Sequence, residues 1–470
     1  MSVGGEKRDY RGWALALLCA AQFVDVLDVN VVIVALPSIG RDLGFSQGDL
    51  QWVVTAYVLF FAGFLLLAGR MADLFGRRRM FVVGMSLFAS ASLVCGFAGS
   101  PLVLVVARAA QGLGAAITAP AALSIITGLY DEGPLRNRAL AVWTAVAAGG
   151  GAAGLVLGGL LTDGLGWEWA FFVNVPVGIS AVALAPLLLP GDRGAATTRR
   201  LGAPGAVVAT GGLVLLVYGL TRVEEEGVGS PLTLGVLALA AALVPAFVLV
   251  ERRVADPLVP LETFRVRNLV GANLVAFVNT ATSSPTGVLL ALYLQGVLGR
   301  SSTFTGLVFL PFSVAVILGS FAGSRLVDRL GARFSAASGL LVMAVSSLVS
   351  AGISAGGGVG YVLGGSVLGG LGLGCSAVAA TAAGTAVLGR GEQGLASGLL
   401  NTAAQVGTAL GVAALVTLAV ARAGALAGDG PATAAAIVEG YRWAFYASSG
   451  LAVLGALVAV FVVNERKGEA

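Results

Sequence analysis

Apolar runs about as long as a bilayer crossing recur along this chain, separated by short segments that hold most of its arginines, and few folds are open to such a pattern. The clearest stretch lies between Arg333 and Arg390, where no charged side chain occurs. A spanning helix needs about 20 mainly apolar residues, and irregular backbone facing lipid would leave its peptide groups without partners. Composition agrees. Of 470 residues, 57% are hydrophobic and 11% charged, with a mean hydropathy of +0.93, against roughly 25% charge in a soluble domain. Such a chain cannot cover itself with polar surface in water. The lipid bilayer is its solvent, and the expected fold is an all-α polytopic membrane protein.

Fourteen spans are expected, near 13–37, 51–72, 80–99, 101–123, 138–163, 168–190, 202–221, 231–250, 268–297, 302–325, 334–355, 359–388, 393–424 and 438–463. Arginine and lysine favour the cytoplasmic ends of short loops. With the N-terminus inside, Lys7, Arg8, Arg11, Arg70, Arg77, Arg78, Arg79 and most later basic residues fall on the cytoplasmic side. An odd number of spans would scramble that segregation. The expected organisation is a cytoplasmic tail at 1–12, a six-helix bundle at 13–190, and a linker with two inserted helices at 191–250. A second six-helix bundle follows at 251–463, then a cytoplasmic tail at 464–470. The apolar run after Arg11 continues to Pro37 and further spans follow, so the first helix reads as retained rather than as a cleaved signal.

Several chemistries are excluded. The 69 glycines sit within apolar runs, where small residues let transmembrane backbones approach closely. Cys19, Cys95 and Cys375 are odd in number and lie in apolar stretches, which argues against a disulfide framework. There is no histidine, hence no imidazole metal site or histidine relay. No G-x-x-x-x-G-K-[ST] loop and no nucleophile–base constellation occurs. The chain is therefore not read as an enzyme, and no cofactor, metal or nucleic acid is expected. The preference for arginine over lysine, with abundant Ala, Gly and Val, points to a high-GC genome.

An internal repeat is visible. Gly69, Asp73, Gly76, Arg77 and Arg78 follow the second span, and Asp328 and Gly331 hold equivalent places after the tenth. Two six-helix halves around an inserted pair fit that spacing. The glycines permit tight turns, and Asp73 can pair with arginines or with a helix N-terminus. The expected device is a latch that holds the cytoplasmic side closed in one state. A generic positive-inside loop is the plainer alternative.

Charges inside a bilayer are costly and point to function. Asp25 and Asp28 lie within the first span and Arg108 within the fourth; Gln22, Asp25 and Asp28 step by three into one polar stripe. At 1.5 Å per residue, Asp28 stands about 13 Å from the outer end at Pro37 and Arg108 about 10 Å from its own outer end. The two can meet if their helices adjoin. Burial favours the neutral form of a carboxyl and a nearby guanidinium favours the ionised form, so a balanced group can load a proton in one conformation and release it in another. Asp28 is expected to be the main proton carrier, with Arg108 as its partner, and Asp25 to share the proton or meet a cationic substrate. The competing reading is a static buried pair that fixes helix packing. Gln111, and Asn401 with Gln405, leave substrate contact and interhelical bonding both open. Gln22, Phe23, Asn30, Trp52, Tyr57, Phe61, Phe277 and Tyr293 complete the candidates for a substrate cavity.

The pattern G-x-x-x-D-x-x-G-R from Gly69 to Arg77 resembles the signature loop of the major facilitator superfamily. Leu27-Asp28-Val29-Asn30-Val31-Val32-Ile33-Val34-Ala35-Leu36-Pro37 resembles the first-helix motif of its fourteen-helix drug:proton antiporters, with Asn30 and Ile33 where Thr and Asn are usual. Trp52 to Tyr57, Arg108 to Gly112, Phe171 to Gly178 and Tyr293 to Gln295 resemble further helices of that family. The fifth-helix signature G-x-x-x-G-P-x-x-G-G retains Gly150, Gly154, Gly158 and Gly159 as packing glycines, but Leu155 replaces its proline, a departure that favours uptake. The resemblance implies a major facilitator fold and a proton-coupled efflux antiporter of amphipathic small molecules, drugs or antibiotics. It would work by alternating access, as a monomer, in the bacterial inner (plasma) membrane with both termini cytoplasmic. A proton-coupled uptake symporter shares the fold and the carboxylates, and a non-transporting membrane sensor is a third reading.

Overall fold

The computed structural model describes residues 6–45, 50–191, 202–226, 230–254, 257–386, 392–427 and 433–463. The N-terminal half comprises α1 (Glu6–Leu43), α2 (Trp52–Phe75), α3 (Arg77–Gly96), α4 (Pro101–Leu129), α5 (Pro134–Leu165), the short α6 (Trp169–Phe172) and α7 (Asn174–Leu188). After α8 (Ala203–Glu226) and α9 (Pro231–Arg253) come α10 (Arg267–Leu292), α11 (Ser302–Ser350), α12 (Val359–Thr385), α13 (Gln393–Ala427) and α14 (Ala434–Val462). Among the described residues, 12 helices are long and apolar enough to cross a membrane, while the apolar part of α8, Pro204–Leu220, is shorter. The tail expected at 1–12 is helical from Glu6, because the charged residues before Tyr10 continue the first helix beyond its apolar part. The tail at 464–470 and linker residues 192–201 lie outside the described residues.

Local chemistry sets the helix ends. Proline opens α4 and α9, where its missing N–H has no helical partner to lose. The Ser301 and Thr433 hydroxyls accept from Phe304 and Ala436 backbone N–H groups and cap α11 and α14. Between α2 and α3 the chain turns at Gly76, with φ +99°, and α11 breaks at Gly331, with φ +83°. Side chains rarely adopt either conformation. Each of these glycines lies three residues beyond its aspartate, Asp73 or Asp328, so both copies of the repeat turn at the same place.

Two compact units account for the contacts. Unit 1 comprises Met1–Asp131, Gly149–Arg265 and Leu388–Thr402, and unit 2 comprises Glu132–Ala148, Val266–Val387 and Ala403–Ala470. Helices α5 and α13 are thus each divided between the units. The core of unit 1 packs Val31, Val32 and Ile39 of α1 against Leu104 and Ala107 of α4 and against Phe171. Unit 2 gathers Leu289, Tyr293 and Phe445 in one cluster and Val275, Leu340 and Ala456 in another. In lipid, where apolar burial alone gives helices little reason to associate, close backbone approach matters more. A Cβ at Gly150, Gly154 or Gly158 would stand 2.7 to 3.0 Å from atoms of α1, on Phe23, Leu27 and Val34. Gly159 is different. A Cβ there meets nothing within 4 Å, because one residue further along a helix points away from the contact face. The backbone of α5 is helical through position 155.

Candidate functional site

The intramembrane charges of unit 1 converge on one sealed network. Arg108 Nη1 lies 2.6 Å from Asp28 Oδ2, and both side chains are wholly buried. Gln111 Nε2 and Asn174 Nδ2 donate to Asp28 Oδ1 at 2.7 and 2.6 Å. Arg108 also donates through Nη1 to Gln111 Oε1 at 2.7 Å and through Nε to the Val53 carbonyl at 2.8 Å. Gln111 Nε2 reaches the Ser92 hydroxyl at 2.8 Å. Four elements supply these groups: α1, α3, α4 and the first residue of α7, with α2 adding a backbone carbonyl. Arg108 Nη2 has no hydrogen-bond acceptor among the described residues, and the Tyr57 ring lies 4.4 Å from the guanidinium carbon. An aromatic face offers a cation partial compensation where no acceptor is present.

Asp25 stands outside that seal. It is partly exposed, and among the described residues it accepts one hydrogen bond, from the Tyr57 hydroxyl at 2.5 Å. Tyr57 is therefore shared, its hydroxyl on Asp25 and its ring on Arg108. Phe61, half-buried one turn along α2, stacks on Tyr57 with ring centroids 5.9 Å apart. Two carboxyls three residues apart thus have opposite surroundings, one enclosed by three donors and the other held by a single phenol.

The remaining candidates scatter. Asn30 donates to the Val26 carbonyl of its own helix at 2.8 Å, and Asn401 to Ser397 at 3.0 Å. Such bonds back to the preceding turn occupy the amide locally. Gln22, Phe23, Phe277 and Gln405 are half-buried. Trp52 packs on Tyr218 of α8, ring centroids 6.0 Å apart. Tyr293, expected to line a cavity, is wholly buried in the unit 2 core and donates to the Ser354 carbonyl at 2.9 Å. A π-turn at Tyr293–Val297 carries its ring into that cluster.

Each repeated loop meets a helix start. In unit 1, Asp73 accepts from the backbone N–H groups of Gly394 and Leu395 at 2.9 and 2.8 Å, at the N-terminus of α13, and pairs with Arg77 at 3.5 Å. Arg77 donates to Gln393 Oε1 at 2.7 Å and to the Ser124 carbonyl at 3.1 Å. A Cβ at Gly69 would sit 2.5 Å from the Gly394 carbonyl oxygen, so glycine is what allows the approach. Arg78 donates towards the Pro186 and Leu189 carbonyls at 3.5 Å. In unit 2, Asp328 accepts from Asn137 Nδ2 at 2.6 Å in the first turn of α5, beside Arg136, which donates to Thr385 Oγ1 at 2.6 Å. Carboxylates are stabilised at helix N-termini by the orphan N–H groups and the helix dipole.

Sequence reasoning missed Asn174, Ser92, Gln393 and Asn137 as contact residues. Asn174 lies within a recognised stretch, at a helix start behind the short α6, yet nothing in its spacing aims it at Asp28. Ser92 is one hydroxyl in an apolar helix. Asn137 follows a helix-opening Pro134, and that start signal could have matched it to the second copy of the loop.

Comparison with known proteins follows the same lines. A sequence profile of the Major Facilitator Superfamily matches residues 18–267 and 272–470. The chain is 41% identical over 468 residues to the puromycin resistance protein pur8 of Streptomyces alboniger, spanning 97% of this chain and 92% of that protein. It is 42% identical over 417 residues to the cephamycin export protein CmcT of Amycolatopsis lactamdurans, covering 86% and 84% of the two chains. The tetracenomycin C resistance and export protein of Streptomyces glaucescens is 35% identical over 441 residues, or 91% and 82% of each. Among solved structures, the human organic anion transporter MFSD10 (TETRAN) superposes with a TM-score of 0.68 at 17% identity. That match covers 96% of this chain and 99% of the other, and it shows the shared fold.

Proposed function

This chain belongs to the Major Facilitator Superfamily, and from that premise we propose that it exports antibiotic-like amphipathic molecules in exchange for protons. It is a multi-pass membrane transporter with bacterial relatives, not an enzyme. Export over uptake is carried by one observation: resistance and export proteins match it across 82% or more of both chains. They do so although Leu155 stands where the antiporter signature has proline.

The charge geometry supports proton coupling and a division of labour that reverses the order expected from the sequence. Asp28, with three donors on it and no exposure, is the fixed countercharge of Arg108. Asp25 is the exchanging group. A proton or a cationic group of the substrate can occupy the same carboxylate, and such competition is what exchange requires. Protonating Asp25 also alters the field at Tyr57, whose ring backs Arg108. Phe61, stacked on Tyr57, offers aromatic surface to an amphipathic cargo.

The fourteen-span reading of the subtype is part of the proposal. It is supported by the break of α11 at Gly331, which divides that element into two helical segments, and by the apolar Pro204–Leu220 of α8. The Asp73 and Asp328 contacts act as latches at the ends of α13 and α5, two elements divided between the units. Both termini are cytoplasmic, the location is the bacterial inner membrane, and the monomer is the working unit; the clustering of arginines in the loops supports that orientation. The test is accumulation of puromycin in cells that express the chain. Expression should lower steady-state puromycin, and a protonophore should restore it. Raised accumulation would turn the reading to uptake.

A further inference from the structure

We infer that the inserted helices α8 and α9 supply a second half of the Asp73 latch, with Glu251 as the positioning residue that keeps Leu258 and Val259 against the start of α13. The inference rests on the reading of Asp73 as a latch, and the residues that carry it all lie in unit 1.

Glu251 breaks two local rules. It lies in the last turn of α9, where the helix dipole disfavours a negative charge. It is also buried, and a buried carboxylate is costly unless it is partnered. A residue that violates local preference usually serves something outside its own helix. Here it reaches two neighbours. Oε2 accepts from the Val259 backbone N–H at 2.8 Å, which folds the segment after α9 back onto it. Oε1 lies against Gly205, so closely that a Cβ there would overlap it. Gly205 is in the first turn of α8, a helix end that favours a carboxylate. Oε1 has no hydrogen-bond partner among the described residues. Arg70 of α2, buried one turn before Asp73, acts electrostatically on both carboxyls.

The fold-back matters for what it carries. Leu258 and Val259 are wholly buried and cluster with Leu66 of α2, Ala206 of α8 and Leu395 of α13. Leu395 is thus held twice. Asp73 accepts from its backbone N–H at 2.8 Å, and its side chain packs in the cluster that Glu251 keeps closed. Apolar contact is non-directional, whereas a hydrogen bond to a carboxylate is short, strong and fixed in geometry. The inserted pair is itself fastened to α2, through Trp52 on Tyr218 and through Leu66 beside Ala206. Because α13 is divided between the units, whatever keeps its first turns on unit 1 decides whether they stay there or follow the rest of the helix.

The test labels α13 directly. In the full chain freed of native cysteines and placed in lipid nanodiscs, Ser397→Cys, buried in the first turns of α13, is reacted with maleimide. Glu251→Ala should speed labelling about tenfold, the effect of losing one hydrogen bond to a charged acceptor. Glu251→Gln, whose amide oxygen can still accept from Val259, should lie nearer the unaltered rate than the alanine variant does. Gly205→Ala, which drives the carboxyl off its place, should speed labelling with Glu251 itself intact. A second protein keeping only Cys375, buried in α12, reports general loosening, and its slow labelling should be unchanged by all three substitutions. Asp73→Ala separates the two readings. If it speeds labelling and Glu251→Ala does not, the latch stands and the role of the inserted pair is overturned. If neither does, the latch reading falls and this inference falls with it. Faster labelling of Cys375 as well would overturn it by showing that Glu251 supports the fold at large.

Discussion

Replacing Asp28 with alanine removes the acceptor at the centre of a buried network, and its cost can be worked from the contacts. Arg108 loses its 2.6 Å partner while keeping only Gln111 and the Val53 carbonyl as acceptors. Gln111 and Asn174 each lose an acceptor at the same time. Breaking a buried pair from one side costs about 3–5 kcal/mol, because the other charge stays behind without compensation. Asp25→Ala removes one hydrogen bond at a partly exposed site, a cost of about 1 kcal/mol. The assay is reversible denaturant unfolding in mixed micelles, run as a double-mutant cycle with Arg108→Met. A gap of about 2–4 kcal/mol between the two single aspartate variants is expected. The pair Asp28→Leu with Arg108→Met should recover most of the loss, since apolar replacement of a whole buried pair is often neutral. A gap under about 1 kcal/mol, or a double variant no better than the sum of the singles, contradicts the lock.

Packing and latch give two further expectations. Gly154→Leu forces a side chain onto the Leu27 carbonyl and Asn30 and should cost about 1–3 kcal/mol or more by overpacking. Gly159→Leu, which enters open space, should leave the melting temperature and the size-exclusion profile unchanged; equal damage by both would refute the assigned α1 face. Asp73→Ala removes the cap of α13 and the pairing with Arg77, a loss of about 0.5–2 kcal/mol. In a variant freed of native cysteines, Ser397→Cys, buried in α13, should then be labelled several-fold faster by maleimide. Unaltered labelling would mean that Asp73 does not hold that helix end.

The all-helical membrane fold was legible because it follows from solvent: apolar length and arginine placement leave no other class. The repeat was legible because a glycine turn after an aspartate is a local device, and Gly76 and Gly331 share it. The meeting of Asp28 with Arg108 followed from depth along two helices, since costly charges at equal height have reason to pair. What the sequence hid was enclosure. Asn174 donates to Asp28 and Ser92 accepts from Gln111, both from other helices, and no periodicity in α1 reports which of two aspartates in one stripe its neighbours will cover. Tyr293 and Trp52 show the same limit from the other side. An aromatic in an apolar helix looks alike whether it faces a cavity, a core or a neighbouring helix.

The most direct test of the central claim is proton movement in inside-out vesicles, followed with a pH-sensitive dye as puromycin is added to the wild type and Asp25→Asn. The account predicts a puromycin-dependent collapse of the pH gradient in the wild type and its loss in Asp25→Asn, which has neither the proton site nor the carboxylate for a cationic group. An undiminished collapse in Asp25→Asn would contradict it and place the exchanging proton on another group.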